Sequence, residues 1–121
     1  MKILVTGVAG FIGYHLTKNL IKRNYDVIGI DNLNSYYDIE LKQARLDNLK
    51  KINLSFYKMD ICDQKTLENL FSKNNFDVII HLAAQAGVRY SIENPQEYLE
   101  SNINGFFNIL ELSRYNKIKN L

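Results

Sequence analysis

The sequence predicts an α/β fold, a doubly wound parallel sheet with helices on both faces. Three observations carry that prediction. Four short apolar runs alternate with longer stretches of helical period. The first run leads directly into Gly7, Gly10 and Gly13, three residues apart at the opening of a helix. The second run ends on an acid, Asp31, 18 residues after Gly13.

Ile3, Leu4 and Val5, β-branched at two of three positions, suit a strand buried on both faces, and Thr6 and Gly7 end it. Gly7 permits a tight turn, Gly10 lets backbone approach a pyrophosphate, and Gly13 lets the new helix pack against the strand. The unpaired N–H groups of that helix's first turn then face the phosphates. Such a strand–turn–helix unit points to dinucleotide binding; a merely flexible glycine loop would leave its strand and helix unexplained.

The first helix is expected from about Phe11 to Arg23, with Ile12, Leu16 and Leu20 on its buried face and His15 and Lys18 off it. Asn24 and Tyr25 turn the chain into a second strand, Asp26 to Ile30, which ends at Asp31. The Asp31 carboxylate can accept hydrogen bonds from both hydroxyls of an adenosine ribose and would repel a 2′-phosphate. No Lys or Arg follows until Lys42, so NAD is expected over NADP. The plainer reading of Asp31 is a turn residue.

Residues 32–38 read as a polar, aromatic loop. Ile39 to Ile52 has helical period, with Leu41, Leu46 and Leu49 on one side and Lys42, Arg45, Lys50 and Lys51 on a solvated face. Leu54 to Met59 is a third strand; Asp60 and Ile61 at its tip either hold an adenine or simply close the strand. Asp63 can cap a helix through about Lys73, with Leu67, Leu70 and Phe71 turned inward. Phe76 to His81 is the fourth strand. The small residues after it, Leu82 to Gly87, let a flat ring or a sugar pass close to the backbone. His81 reads as a hydrogen-bonded strand histidine rather than an acid or base, and His15, His81 and Cys62 show no metal spacing.

Asn94 at the cap, Pro95 in the first position and Glu97 reaching back start a last helix. It is expected to reach about Tyr115, with Leu99, Ile103, Phe106 and Leu110 on a buried stripe. Lys117 to Leu121 looks like a loop turning into a further strand. Right-handed crossovers around the first strand give the order 3-2-1-4, a Rossmann-like but incomplete sheet with ligand at the strands' C-terminal ends.

The totals agree with one small domain. The chain has 121 residues, 46% of them hydrophobic, and a net charge of +2, too small to suggest nucleic acid or an anionic membrane as partner. A lone cysteine, Cys62, forms no internal disulfide, and no apolar run approaches the ~20 residues that span a bilayer. No leader is expected at the apolar start, which the strand and glycine turn account for. A cytoplasmic, soluble protein is expected.

Particular segments carry a further resemblance: TGVAGFIG, IDNLN after the second strand, MDI after the third, HLAAQAGVRYS after the fourth, and SNINGFFNILE in the last helix. Together they resemble the extended short-chain dehydrogenases/reductases that epimerise or dehydrate nucleotide sugars. DNLNSYYDIELKQARL with QAGVRYSIENP is similar to the UDP-glucuronate 4-epimerases in particular.

The resemblance implies that Gly7, Gly10, Phe11, Ile12 and Gly13 meet the NAD pyrophosphate. Asp31 and Asn32 would hold the adenosine ribose, with Asn34 and Ser35 nearby, and Asp60 and Ile61 would meet the adenine. Leu82, Ala83 and Ala84 would line the nicotinamide side, supported by Asn102. Gln85 and Arg89 would approach the sugar, Arg89 either reading a uronate carboxylate or standing as a surface charge.

In that family a Tyr-x-x-x-Lys pair with a Ser or Thr performs the acid–base work, after the next strand. No such pair stands there: Tyr14 with Lys18 lies inside the phosphate-binding helix, and Tyr115 with Lys119 lacks the preceding serines. The expectation is therefore the N-terminal, NAD-binding part of a UDP-sugar 4-epimerase, without its sugar-nucleotide domain and inactive by itself. The alternatives are a stand-alone nucleotide-binding module and part of a sugar-nucleotide dehydratase. Strand four would be an apolar edge, so homodimerisation or other self-association is expected through it or through the last helix.

Overall fold

A computed structural model describes all 121 residues. The elements are β1 (Lys2–Thr6), α1 (Phe11–Lys22), β2 (Asp26–Asp31), α2 (Ile39–Lys50), β3 (Ser55–Lys58), α3 (Gln64–Ser72), β4 (Val78–His81), α4 (Val88–Glu93), α5 (Pro95–Tyr98) and α6 (Phe106–Tyr115). A π-helical segment, Leu99–Gly105, joins α5 to α6. The four strands are parallel throughout, in the order β3-β2-β1-β4. This is the Rossmann-like sheet the sequence predicts.

The two-sided burial follows from the strand period of two. On β1, Ile3 and Val5 face a core completed by Val8, Val27, Leu46, Leu49 and Leu54. Leu4 faces the opposite core, with Ile28, Ile30, Leu67, Phe71, Ile79 and Ile109. Asp63 caps α3 by accepting from the Thr66 N–H at 3.2 Å.

Three helical stripes differ from expectation. In α1 the buried positions are Gly13 and Thr17; Leu16 and Leu20 are half-buried and Ile12 is exposed. Small residues let this helix lie close to the sheet, so the inward stripe passes through them. In α2 the inward positions are Lys42, Leu46 and Leu49, one helical stripe, and Leu41 is turned out beside it.

Along the last helix Leu99, Ile103, Phe106 and Leu110 are 40–58% exposed, whereas Gly105, Ile109 and Ser113 are buried. A π turn holds more residues than an α turn. Residues 99–105 therefore shift the helical phase, and the helix meets the sheet layer through Gly105 and Ile109 instead.

Two local expectations also change. Asn94 makes no side-chain cap for α5; its N–H closes the short helix α4 on Tyr90 O at 2.8 Å, so one helix ends and the next begins at this residue. The strand-four edge is not wholly bare: Asn120 forms a parallel bridge to Val78, and its carbonyl accepts from the Ile79 N–H at 3.0 Å. No helix is long and apolar enough to cross a membrane.

Candidate nucleotide-binding cleft

A cleft of about 700 Å³ opens at the C-terminal ends of the strands. Its floor is the glycine turn. Gly7 has φ +69°, and a Cβ there would lie 2.8 Å from the Ala83 amide nitrogen. The Gly10 N–H closes the turn on Gly7 O at 3.1 Å. A Cβ on Gly13 would run into the Gly7 carbonyl, so α1 starts where only glycine fits. No side chain caps α1 and no acid stands in its first turn, which leaves its leading amides and the positive end of its dipole open to an anion.

Asp31, 8% exposed, ends β2 on the cleft wall. Its Oδ2 accepts from the Ala9 N–H at 3.0 Å and its Oδ1 from the Leu33 N–H at 2.9 Å. Each oxygen keeps a lone pair, so the carboxylate is held in one orientation and can still accept from a diol. Beside it, Asn32 Nδ2 donates to Asp60 Oδ2 at 3.0 Å and the Cys62 N–H donates to Asp60 Oδ1 at 2.8 Å. Burial pushes the Asp60 carboxyl up, but the hydrogen bonds from Asn32 and Cys62 outweigh it and hold the group below the ordinary carboxylate value. The neighbouring Cys62 thiol is pushed up to about 11, first by burial and then by Asp60. It therefore stays protonated, and it donates to Glu100 O at 3.2 Å.

Helical period puts Lys42 and Arg45 on a solvated face; both line the cleft instead. Lys42 is 6% exposed, and its amine donates to Asn34 O at 3.0 Å and Asn34 Oδ1 at 2.9 Å. Arg45 Nη1 donates to Ala9 O at 3.1 Å, and its guanidinium lies over the Phe11 ring at 6.0 Å. Tyr36, Tyr37, Asp38 and Leu41 complete this wall, the first three from the stretch expected as a loop and Leu41 from the helix face expected to be buried. The available signal was the spacing of Lys42 with Leu46 and Leu49, which puts a lysine on the apolar stripe.

The opposite wall follows β4. The Leu82 and Ala83 N–H groups both donate to Thr6 Oγ1 at 3.0 Å, and that hydroxyl lies 2.8 Å from His81 Nδ1. A hydroxyl accepting twice has its proton left to give, so it donates to Nδ1 and His81 carries its own proton on Nε2. Burial lowers the His81 pKa, which agrees with a neutral, structural imidazole. Farther along, Gln85 N–H donates to Asn102 Oδ1 at 2.8 Å, and Asn102 Nδ2 donates back to Gln85 O at 3.0 Å. Tyr98 Oη donates to Ala86 O at 2.7 Å and also reaches Gly87 O.

The cleft brings together Gly7, Gly10, Phe11, Ile12, Gly13, Asp31, Asn32, Asn34, Asp60, Ile61, Leu82, Ala83, Ala84 and Gln85. Ser35 and Arg89 are exposed and do not line it. Asn102 borders a neighbouring depression with His81, Leu82, Ala83, Ala84 and Phe106, and it is hydrogen-bonded to the cleft wall at Gln85. No three His, Cys, Asp or Glu side chains stand together as a metal site.

A family model described as GDP-mannose 4,6 dehydratase matches residues 4–121. The chain belongs to this family. It is 53% identical to Protein CapI of Staphylococcus aureus over 121 residues, all of this chain and 36% of that protein. It is 49% identical over 119 residues to the UDP-glucuronate 4-epimerase of Thermodesulfobacterium geofontis, covering 98% of this chain and 37% of the relative. A crystal structure of the UDP-glucuronic acid 4-epimerase from Bacillus cereus, in complex with UDP-glucuronic acid and NAD, aligns with a TM-score of 0.87 and 38% identity. That alignment covers 99% of this chain and 38% of that one. The chain thus spans little more than a third of the length of these relatives.

Proposed function

We propose that these 121 residues form the NAD-holding part of a UDP-sugar 4-epimerase acting on UDP-glucuronate or a close relative. The observation that carries the reading is the pairing of an uncapped α1 on a glycine turn with the anchored Asp31 carboxylate. A dinucleotide needs both, one for its pyrophosphate and one for its adenosine ribose. The Cβ clashes at Gly7 and Gly13 show a cradle in which no side chain would fit.

In this reading Gly7, Gly10, Phe11, Ile12 and Gly13 hold the pyrophosphate, and Asp31 and Asn32 the ribose, with Asn34 and Ser35 at its edge. Asp60 and Ile61 meet the adenine; Leu82, Ala83 and Ala84 form the nicotinamide-side wall. Asn102 supports that wall by fixing Gln85, while Gln85 and Arg89 lie towards the sugar. Bound NAD would supply a reversible hydride acceptor, and this chain would bind and orient it.

The tyrosine–lysine spacings offer no acid–base pair in the cleft. The Lys18 amine lies over the Tyr14 ring at 5.8 Å on α1, and Tyr115 is 80% exposed; neither lines the cleft. The 121 residues alone are therefore expected to be inactive. Self-association through the β4 edge or the apolar face of the last helix also belongs to this reading, as does a cytoplasmic location for a chain with one free thiol. Concentration-dependent light scattering tests the first.

The direct test is a chimera in which this chain replaces the matching segment of the T. geofontis epimerase. The reading predicts conversion of UDP-glucuronate to its 4-epimer by the chimera and none by the isolated chain. A folded chimera that holds NAD yet leaves UDP-glucuronate unchanged would overturn it. The family model's description favours one second reading, a sugar-nucleotide dehydratase, whose product would be a keto sugar that has lost water.

A further inference from the structure

We infer that Arg45 is a specificity-determining residue at the adenosine ribose, a cation that offsets Asp31 and makes discrimination against a 2′-phosphorylated dinucleotide shallow. The inference rests on the NAD reading above and deepens it. Its starting point is one peptide unit. The Ala9 N–H donates to Asp31 Oδ2, and Ala9 O accepts from Arg45 Nη1. A carboxylate and a guanidinium thus flank a single residue. A ribose hydroxyl seated on Asp31 carries its substituent towards the same corner.

Neither cation of this wall is neutralised by the protein. The chain has two ion pairs, Lys2 with Asp26 and Arg114 with Glu111, and neither involves Lys42 or Arg45. The other acids lining the cleft are already engaged: Asp38 caps α2 and Asp60 accepts from Asn32 and Cys62. Arg45 makes one hydrogen bond, to Ala9 O, and its remaining N–H donors form the planar fork that suits phosphate oxygens. Phe11 and the Ala9 carbonyl hold the guanidinium in place, so little side-chain entropy is lost when an anion arrives. Lys42, one turn earlier on the same helix face, adds a second positive charge at Asn34. The sequence places no base close after Asp31, but the fold brings two to its side.

The test compares ADP-ribose with 2′-phospho-ADP-ribose by calorimetry on this chain, its R45A and R45K variants, and D31N. The two ligands share the pyrophosphate, so only the 2′ corner differs. R45A is expected to weaken binding of the 2′-phosphorylated ligand about tenfold more than that of ADP-ribose, as loss of a charge-assisted contact predicts. R45K, which keeps the charge, should recover part of that difference at an unchanged Tm. D31N should turn the preference towards the 2′-phosphorylated ligand, and adding R45A should cancel that gain. If D31N does not fold, the Arg45 series decides alone. Equal weakening of both ligands by R45A would place the guanidinium on the shared pyrophosphate and overturn the inference, as would no change in either. Binding of neither ligand by the unaltered chain would remove the NAD reading itself.

Discussion

The two ends of the cleft are built by different means. At the glycine-turn end, backbone does most of the shaping: the turn at Gly7, the close approach of α1 at Gly13 and the two amides on Asp31 leave few alternatives within a short stretch of chain. At the far end the wall is hung on distant side chains. Thr6 holds Leu82 and Ala83, and Asn102 clamps Gln85 from seventeen residues on. The first end depends on what cannot be added; the second depends on what cannot be removed. The helix behind the second end also turns an apolar face outward, whereas the glycine-turn end packs into the core through Val8 and Ala9.

Substitutions can break or sharpen this contrast. The largest effect is expected within the last helix, between neighbours. Ile109→Ala empties a fully buried site and should cost about 3–4 kcal/mol, against less than about 1 kcal/mol for the half-exposed Leu110→Ala. Equal costs in urea unfolding would mean that the π segment does not set the helix's facing.

Next is Gly13→Ala, which must push the Cβ against the Gly7 carbonyl. A loss of about 2–3 kcal/mol is expected from overpacking at a place with no side chain to yield. Loss of NAD binding should accompany it. A well-folded variant that binds NAD normally would show that the turn is not as constrained as its geometry implies.

Smaller is Asn102→Ala, which strips the Gln85 backbone of its donor and acceptor together, about 1–2 kcal/mol. Smallest is a pH effect. Burial sets the folded-state pKa of His81 below its ordinary 6.5, so on acidification the unfolded chain takes the proton first. Stability is therefore fully present above that value and is lost as the pH falls from it towards the folded-state pKa. His81→Gln should flatten that part of a stability–pH curve; an unchanged slope would assign the titration elsewhere.

What was legible in the sequence follows the same division. The sheet order, the glycine turn and Asp31 were readable because each is fixed by neighbours in the chain or by strand period. The phase of α2 was not. Its sequence is polar on most sides, so Leu41 reads as an inward residue and Lys42 as a solvated one, whereas the stripe that faces in is Lys42 with Leu46 and Leu49, its lysine held at Asn34. The buried stripe assigned to the last helix was displaced by the π segment, which no spacing rule for α-helices contains. Asn94 has the composition of a cap, but it ends α4 as well as starting α5, and its side chain makes no cap bond. Lys42 and Arg45 are the instructive cases: distance along the chain hid two bases that the fold brings to the cleft wall near Asp31.

The most direct test of the account is a calorimetric titration of NAD into the 121-residue chain and into its Asp31→Ala variant. Saturable binding of one NAD per chain, weakened at least about tenfold in the variant, is the predicted result. No binding at millimolar NAD by a chain shown to be folded, or identical affinities for the two proteins, would contradict the claim that this cleft is built around the adenosine ribose.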